Sequence, residues 1–115
     1  MKNYQLTQLL EKKRDIDKNY YEFLHETDLS MGIYELKAGS VDMQQPHTED
    51  EVYYIISGSA QLEVEEENVF VKFGSIIYVK ANMKHRFHTI EEDLTVLVFF
   101  APAEYSCKKN FNLQQ

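Results

Sequence analysis

The sequence predicts an all-β domain, a sandwich or barrel of short strands preceded by a short helix. From Tyr20 to Ala101, short segments rich in β-branched and aromatic residues alternate with turn signals. About eight strands at regular spacing are typical of β-sandwiches and β-barrels. At roughly 150 residues per domain, the 115 residues predict one domain over 1–115, with its core at about 20–101.

The N-terminal helix is predicted over about residues 5–14. Leu6, Leu9 and Leu10 recur there at helical spacing. We expect the charged end of this segment, residues 11–15, to face water. The predicted strands follow at 20–25, 31–36, 52–57, 60–65, 69–73, 76–79, 85–90 and 94–101.

The last predicted strand is apolar at nearly every position from Leu94 to Phe100. A strand that is apolar on both faces lies between two layers or against a partner subunit, so we expect a homodimer. Residues 103–115 are predicted to form a weakly structured tail. Its apolar residues Phe111 and Leu113 could dock the tail against the domain.

Charge and composition exclude several function classes. With 12 basic and 19 acidic residues, the formal net charge is −7, which argues against a nucleic-acid or anionic-membrane partner. No apolar run approaches the ~20 residues of a membrane helix, and the polar N-terminus does not resemble a signal peptide. Cys107 is the single cysteine, so no intrachain disulfide forms, and a cytoplasmic location is expected.

The densest cluster of metal-competent side chains lies just before a predicted strand. Residues two apart in an extended chain share a face, so Gln45 and His47 point the same way, and Glu51 can point back to that side. His85 begins another predicted strand some 34 residues later. Two imidazoles and one carboxylate form a donor set that suits iron and similar divalent ions.

The spacing of these residues resembles the first motif of the cupin family. That motif has Gly, five residues, His-x-His, three or four residues, Glu, six residues, Gly. This chain has Gly39, Gln45, His47, Glu51 and Gly58 at the matching positions. Every spacing fits, and Gln45 replaces the first histidine.

A second stretch resembles the other cupin motif, which has Gly, five residues, Pro-x-Gly, two residues, His, three residues, Asn. Here the matching positions hold Gly74, Lys80, Asn82, His85 and Thr89. Asn tolerates the positive φ that a tight turn needs, so Asn82 can still make the bend.

The resemblance covers roughly residues 30–101 and implies a double-stranded β-helix (jelly-roll), a metal in the barrel and usually a homodimer. It implies that Gln45, His47, Glu51 and His85 surround a divalent ion, with Fe(II) favoured and Mn, Ni or Zn as alternatives. Gln45 is either a weak ligand or a group that orients bound water. The alternative to a metal site is a vestigial barrel whose polar interior holds only water.

Other polar and aromatic residues near the predicted site have less specific interpretations. Tyr53 and Phe87 each follow a predicted ligand by two residues and are expected to point inward, where they either line a substrate pocket or fill the core. Glu49 shares strand parity with His47 but is expected to be a solvated loop acid. His88 is expected on the outer face, and Cys107 is expected to be inert.

Three functions are compatible with this pattern. The first is a metal-dependent enzyme, dioxygenase-like, that acts on a small organic molecule. The second is a non-redox isomerase or lyase in which the ion polarises a carbonyl. The third is a small-molecule-binding module without turnover, since no residue in the sequence is marked as a general acid or base.

Overall fold

The structure, a computed structural model, describes residues 1–107 as a helix followed by six strands. The elements are α1 (Leu6–Arg14), β1 (Tyr20–His25), β2 (Ser30–Leu36), β3 (Asp50–Val64), β4 (Glu67–Lys72), β5 (Ile76–Val79) and β6 (His85–Ala101). The all-β class and the short N-terminal helix are therefore confirmed. The predicted docking residues Phe111 and Leu113 lie outside the described residues.

All the strand pairs are antiparallel. The order is β1-β2-β6-β3-β4, and β5 pairs with β3 beside this path. The long strand β6 pairs with β3 from His85 to Ala101, and its second half also pairs with β2. This two-sided pairing makes β6 a central strand of the sheet.

The prediction of eight short strands is wrong in number, because two predicted breaks are bends inside continuous strands. Strand β3 continues through Gly58, and β6 continues through residues 91–93. Gly58 has a φ of +88°, and a Cβ there would lie 2.2 Å from the carbonyl oxygen of Asp93. The β3–β6 register shifts between Ile55 and Gln61. Such irregularities bend a strand without ending it, so the sheet curves around one core.

The core lies on the concave side of this sheet. Leu94, Val96, Val98 and Phe100 of β6 are each no more than 2% exposed, as strict alternation requires. The hydrophobic cluster to which they belong comprises Tyr34, Leu36, Tyr53, Ile55, Ala60, Leu62, Val71, Val79, Phe87, Ile90, Leu94, Val96, Val98 and Phe100.

Helix α1 contacts β2 from outside the core. Leu9 is buried, whereas Leu6 is exposed. The expectation that residues 11–15 all face water is wrong for Lys13, which is 7% exposed with its Nζ 3.8 Å from Glu35 Oε1. A lysine can bury its methylene stem in this way while its ammonium group stays near a carboxylate. In residues 1–107 no helix combines the length and the apolar content needed to span a bilayer.

The convex face of the sheet carries a second apolar surface. Strand pairing aligns Phe99 with Val52 and Tyr78, and it aligns Leu97 with Tyr54 and Ile76. We call these six residues the outer apolar face. Tyr78 and Ile76, at its edge, are 60% and 71% exposed. Contiguous apolar surface of this kind marks an interaction site, and we propose that a second copy of the chain covers it.

Sedimentation velocity at micromolar concentration tests this homodimer. The wild type is expected to sediment as a dimer, and Ile76→Glu with Tyr78→Glu as a monomer, because two carboxylates per copy would be buried unpaired. Phe73→Glu is the matched control, since Phe73 is 68% exposed and outside the outer apolar face. A monomeric wild type would contradict the proposal.

Candidate metal centre

His47, Glu51 and His85 meet at one end of the barrel. Two of them are nevertheless far apart along the strand ladder. Within the β3–β6 ladder, Glu51 pairs with Phe100 and His85 pairs with Val64, at opposite ends. The curvature of the sheet closes this gap. Glu51 also pairs with Val79, the last residue of β5, and the chain reaches His85 six residues later.

Two hydrogen bonds, both donated by backbone N–H groups, hold the β5–β6 loop against the segment that carries His47. The N–H of Asn82 donates to the carbonyl of His47 at 2.7 Å, and the N–H of Ala81 donates to Asp50 Oδ1 at 2.8 Å. Asn82 has a φ of 67°, so it makes the bend expected of it. These contacts bring His47 and His85 together, with ring centroids 5.8 Å apart.

The potential ligand atoms of His47, Glu51 and His85 all lie within 4.8 Å of one another. Glu51 Oε1 is 2.7 Å from His85 Nε2 and 3.5 Å from His47 Nδ1. All three residues are buried, with exposures of 6%, 2% and 4%. This is the 2-His-1-carboxylate arrangement that suits non-haem iron and related divalent ions.

The hydrogen bonding of this cluster fits a bound cation. In the described part of the chain, neither oxygen of Glu51 makes a hydrogen bond of normal geometry, and neither do His47 Nδ1 and His85 Nε2, although Glu51 Oε1 and His85 Nε2 lie at ion-pair distance. Buried polar atoms are nearly always satisfied, so four such atoms around one point fit the coordination of a cation. On the far side of its ring, His85 Nδ1 lies 2.9 Å from the carbonyl oxygen of Met83. That oxygen only accepts, so Nδ1 carries the proton and Nε2 is free to ligate.

The electrostatics of the cluster favour positive charge. Burial lowers the pKa of His47, but Glu104 and Glu51 outweigh that effect and raise it to about 9. Burial also lowers the pKa of His85, and Glu51 again outweighs it, so the net direction is upward. For Glu51, burial raises the pKa, but both histidines outweigh burial and hold it below its ordinary value. Without a metal, protons on the imidazoles supply the positive charge.

Next to His47 a cavity of about 270 Å³ opens toward solvent. Gln45 lines this cavity and is exposed, and its part in metal binding stays a prediction. The aromatic wall comprises Tyr20, Tyr34, Phe100 and Tyr105.

Tyr53 and Phe87 point inward, as expected, and are fully buried. They do not belong to the lining of this cavity in the described residues. Their rings pack together with centroids 5.0 Å apart, which favours the core-filling alternative over a role in a substrate pocket. The Tyr53 hydroxyl donates to Gln44 Oε1 at 3.3 Å.

Among the residues assigned to the surface, one expectation is wrong. Glu49 is 2% exposed rather than solvated. Its carboxylate accepts hydrogen bonds from Thr48 Oγ1 and from the backbone N–H groups of Tyr105 and Cys107. It lies outside the ligand cluster, so strand parity with His47 did not make it a ligand.

The expected outer position of His88 agrees with its contacts. His88 is half-buried, and its Nε2 lies 2.5 Å from Asn68 Oδ1 of the neighbouring strand β4. Cys107 is exposed.

Sequence reasoning missed two acids near the site, one buried and one half-buried. Asp42 accepts hydrogen bonds from the Tyr34 hydroxyl at 2.6 Å, from the Gln44 side chain at 2.9 Å and from the N–H of Phe87 at 2.9 Å. Glu104 Oε2 lies 2.9 Å from His47 Nε2. Strand register was the usable signal for Glu104, because Asp50 pairs with Ala101 and the chain therefore leaves β6 beside the His47 segment.

A family model described as a cupin domain matches residues 32–100. The chain belongs to the cupin family. A solved structure supports the double-stranded β-helix: an RmlC-like cupin of Methanocaldococcus jannaschii aligns over 97% of this chain and 96% of that one, with a TM-score of 0.72 and 23% identity. The expected fold is thus confirmed.

Of two proteins with similar sequences, one is uncharacterised and the other is named as a dioxygenase. The cupin is 45% identical over 104 residues to an uncharacterised protein of Streptomyces coelicolor, covering 90% of this chain and 99% of that one. It is 31% identical over 97 residues to acireductone dioxygenase 3 of Arabidopsis thaliana, covering 79% of this chain. The match spans 48% of that dioxygenase, so it supports homology of the barrel and not of the whole protein.

Proposed function

We propose that this cupin binds one divalent metal ion through His47, Glu51 and His85 and is a metal-dependent, dioxygenase-like enzyme of a small organic molecule. The observation that carries the metal is a set of four buried ligand atoms that lie close together and make no hydrogen bond of normal geometry. One carboxylate and two imidazoles match iron(II), which we favour over Mn, Ni and Zn. Gln45 stands where the cupin motif has a further imidazole, which lowers the expected preference for Cu(II).

The proposed metal site is tested by elemental analysis of the purified protein. Wild type is expected to carry close to one metal ion per chain, and His47→Ala with His85→Ala to carry less than about a tenth of that, because a single carboxylate is a weak site. His25→Ala with His88→Ala removes the same number of imidazoles from elsewhere on the molecule and is the matched control. Equal metal content in the two double variants would rule out the site.

The reaction class rests on the open side of the site and on the dioxygenase relative. His47, Glu51 and His85 would hold the ion, and iron(II) held by three protein ligands would supply redox chemistry between a chelating substrate and dioxygen. The 31% identity to acireductone dioxygenase 3 of Arabidopsis thaliana supports oxygen chemistry on this barrel. A cavity of about 270 Å³ fits a molecule smaller than the occupants of most drug-sized sites.

Residues of the cavity wall would bind and orient that molecule. Tyr20 lines the cavity, and its buried hydroxyl has no hydrogen-bond partner within residues 1–107. Burial, helped by Glu104, raises the pKa of Tyr20, so the hydroxyl stays protonated and can donate to a substrate oxygen. The Tyr34 hydroxyl is already committed to Asp42. Tyr34 therefore contributes its ring as a wall of the cavity.

Oxygen consumption with candidate substrates tests the reaction class. The iron-loaded protein is expected to consume dioxygen with at least one catechol-like, thiol or enol compound, at a rate at least 100-fold above that of the His47→Ala, His85→Ala variant. Tyr20→Phe is expected to keep its metal and to bind that compound more weakly, by about tenfold, because one buried hydrogen bond is lost.

Two other outcomes of the same experiment would replace the dioxygenase proposal. Turnover of a substrate without oxygen uptake, and with zinc as the native ion, would assign a non-redox isomerase or lyase. A compound that binds tightly and is recovered unchanged would assign a small-molecule-binding cupin.

A further inference from the structure

The last described residues fold back over the proposed metal site. We call residues 103–107 the C-terminal strap. Glu104 of the strap places its Oε2 2.9 Å from Nε2 of His47, and only 14% of its side chain is exposed. Tyr105 stacks on the ring of the same histidine, with ring centroids 5.2 Å apart and an interplanar angle of 24°. His47 is therefore in contact with two consecutive strap residues.

The strap is held by contacts that do not involve His47. Ala103 is 1% exposed. The N–H of Glu104 donates to Ser30 Oγ at 2.9 Å. The buried carboxylate of Glu49 accepts from the N–H of Tyr105 and, at 3.0 Å, from the N–H of Cys107. The backbone of Glu104 is thus fixed from both sides, so its carboxylate is positioned before any ion binds.

Glu104 is not itself one of the clustered ligands. The group of atoms within 4.8 Å of one another contains His47, Glu51 and His85, and Glu104 lies outside it. The two nitrogens of His47 have different surroundings. Nε2 lies beside Glu104, whereas Nδ1 lies 3.5 Å from Glu51 Oε1 and has no hydrogen-bond partner in the described chain.

We propose that Glu104 is a positioning residue for the metal site, an inference that rests on the proposed metal binding. Its carboxylate accepts a hydrogen bond from Nε2–H of His47. The lone pair of His47 is then on Nδ1, directed toward Glu51 and His85. A carboxylate behind a metal-bound histidine fixes its tautomer and raises its basicity as a ligand. The Met83 carbonyl oxygen orients His85 similarly, because it accepts a hydrogen bond from Nδ1–H of His85. Both imidazoles are then oriented from behind, one by a carboxylate and one by a backbone oxygen.

Glu104 adds negative charge to the surroundings of the site. The neutral amide at Gln45 adds no charge to the site, and its side chain is exposed. With Glu104 behind His47, the carboxylates of Glu51 and Glu104 together would offset the charge of a divalent ion bound by two neutral imidazoles. The cupin motifs do not include Glu104, which lies beyond the residues that the family model matches.

Zinc affinity of the full chain, measured by competition with a chelator, tests the proposal. Glu104→Ala is expected to bind zinc about 10- to 100-fold more weakly than wild type, the usual effect of removing a carboxylate behind a ligating histidine. Glu104→Gln keeps an acceptor for the Nε2 proton and is expected to recover part of the loss. Glu66→Ala removes one acid from the exposed β3–β4 turn and is expected to leave the affinity unchanged.

A second readout separates positioning from general stability. Long-range ¹H–¹⁵N spectra of the zinc-loaded protein are expected to show the His47 proton on Nε2 and the metal on Nδ1. They are expected to show a shifted or exchange-broadened Nε2 proton in Glu104→Gln, even where that variant melts at the wild-type temperature. Zinc bound at Nε2 of His47, or unchanged affinity in Glu104→Ala, would overturn the role of Glu104 alone. A wild type that binds no zinc and purifies without any metal would overturn the proposed metal site as well.

Discussion

The free-energy cost of burying the Glu51 carboxylate is the constraint on which the rest of this structure depends. An ionised group taken out of water loses several kcal/mol of solvation, and the loss is recovered only by opposite charge at short range. His47 and His85 are the groups at that range, and they lower the pKa of Glu51 against the opposing effect of burial. A divalent ion held by all three side chains would supply the same positive charge at one point.

The fold meets this constraint by curving its two longest strands. Glu51 and His85 belong to β3 and β6, and their pairing partners place them at opposite ends of one ladder. The register shifts near Gly58 bend that ladder, and β5 with its following loop returns the chain to the Glu51 end. The apolar residues of β6 fill the remainder of the concave side, so the polar cluster is confined to one end of the core.

Local patterns in the sequence were enough to identify the three clustered side chains. His47 and Glu51 are four residues apart and His85 begins a strand, so alternation and strand boundaries predict their direction. The break at Gly58 was predicted wrongly, because a glycine at a bulge and a glycine at a turn look alike in one sequence. The break at residues 91–93 was predicted wrongly because three consecutive acidic residues resemble a turn. Glu49 and Lys13 were assigned to water for a similar reason, since charged residues in a loop or at a helix end are usually exposed.

The contacts of the C-terminal strap depend on long-range geometry that no local pattern records. Glu49 and Tyr105 are 56 positions apart and meet only because β6 ends where β3 begins. The same register carries Glu104 to His47. The family motifs therefore contain the three clustered residues, whereas Glu104, which contacts His47 from behind, lies outside them.

Anomalous diffraction from crystals grown without chelator tests the central claim most directly. Data collected above and below the iron and zinc absorption edges are expected to show one peak per chain, at about 2.0–2.3 Å from a nitrogen of His47, an oxygen of Glu51 and Nε2 of His85. The absorption edge at which the peak appears would identify the ion. A fully ordered site that shows only a water molecule, with no anomalous peak after soaking in iron(II) or zinc, would contradict the account.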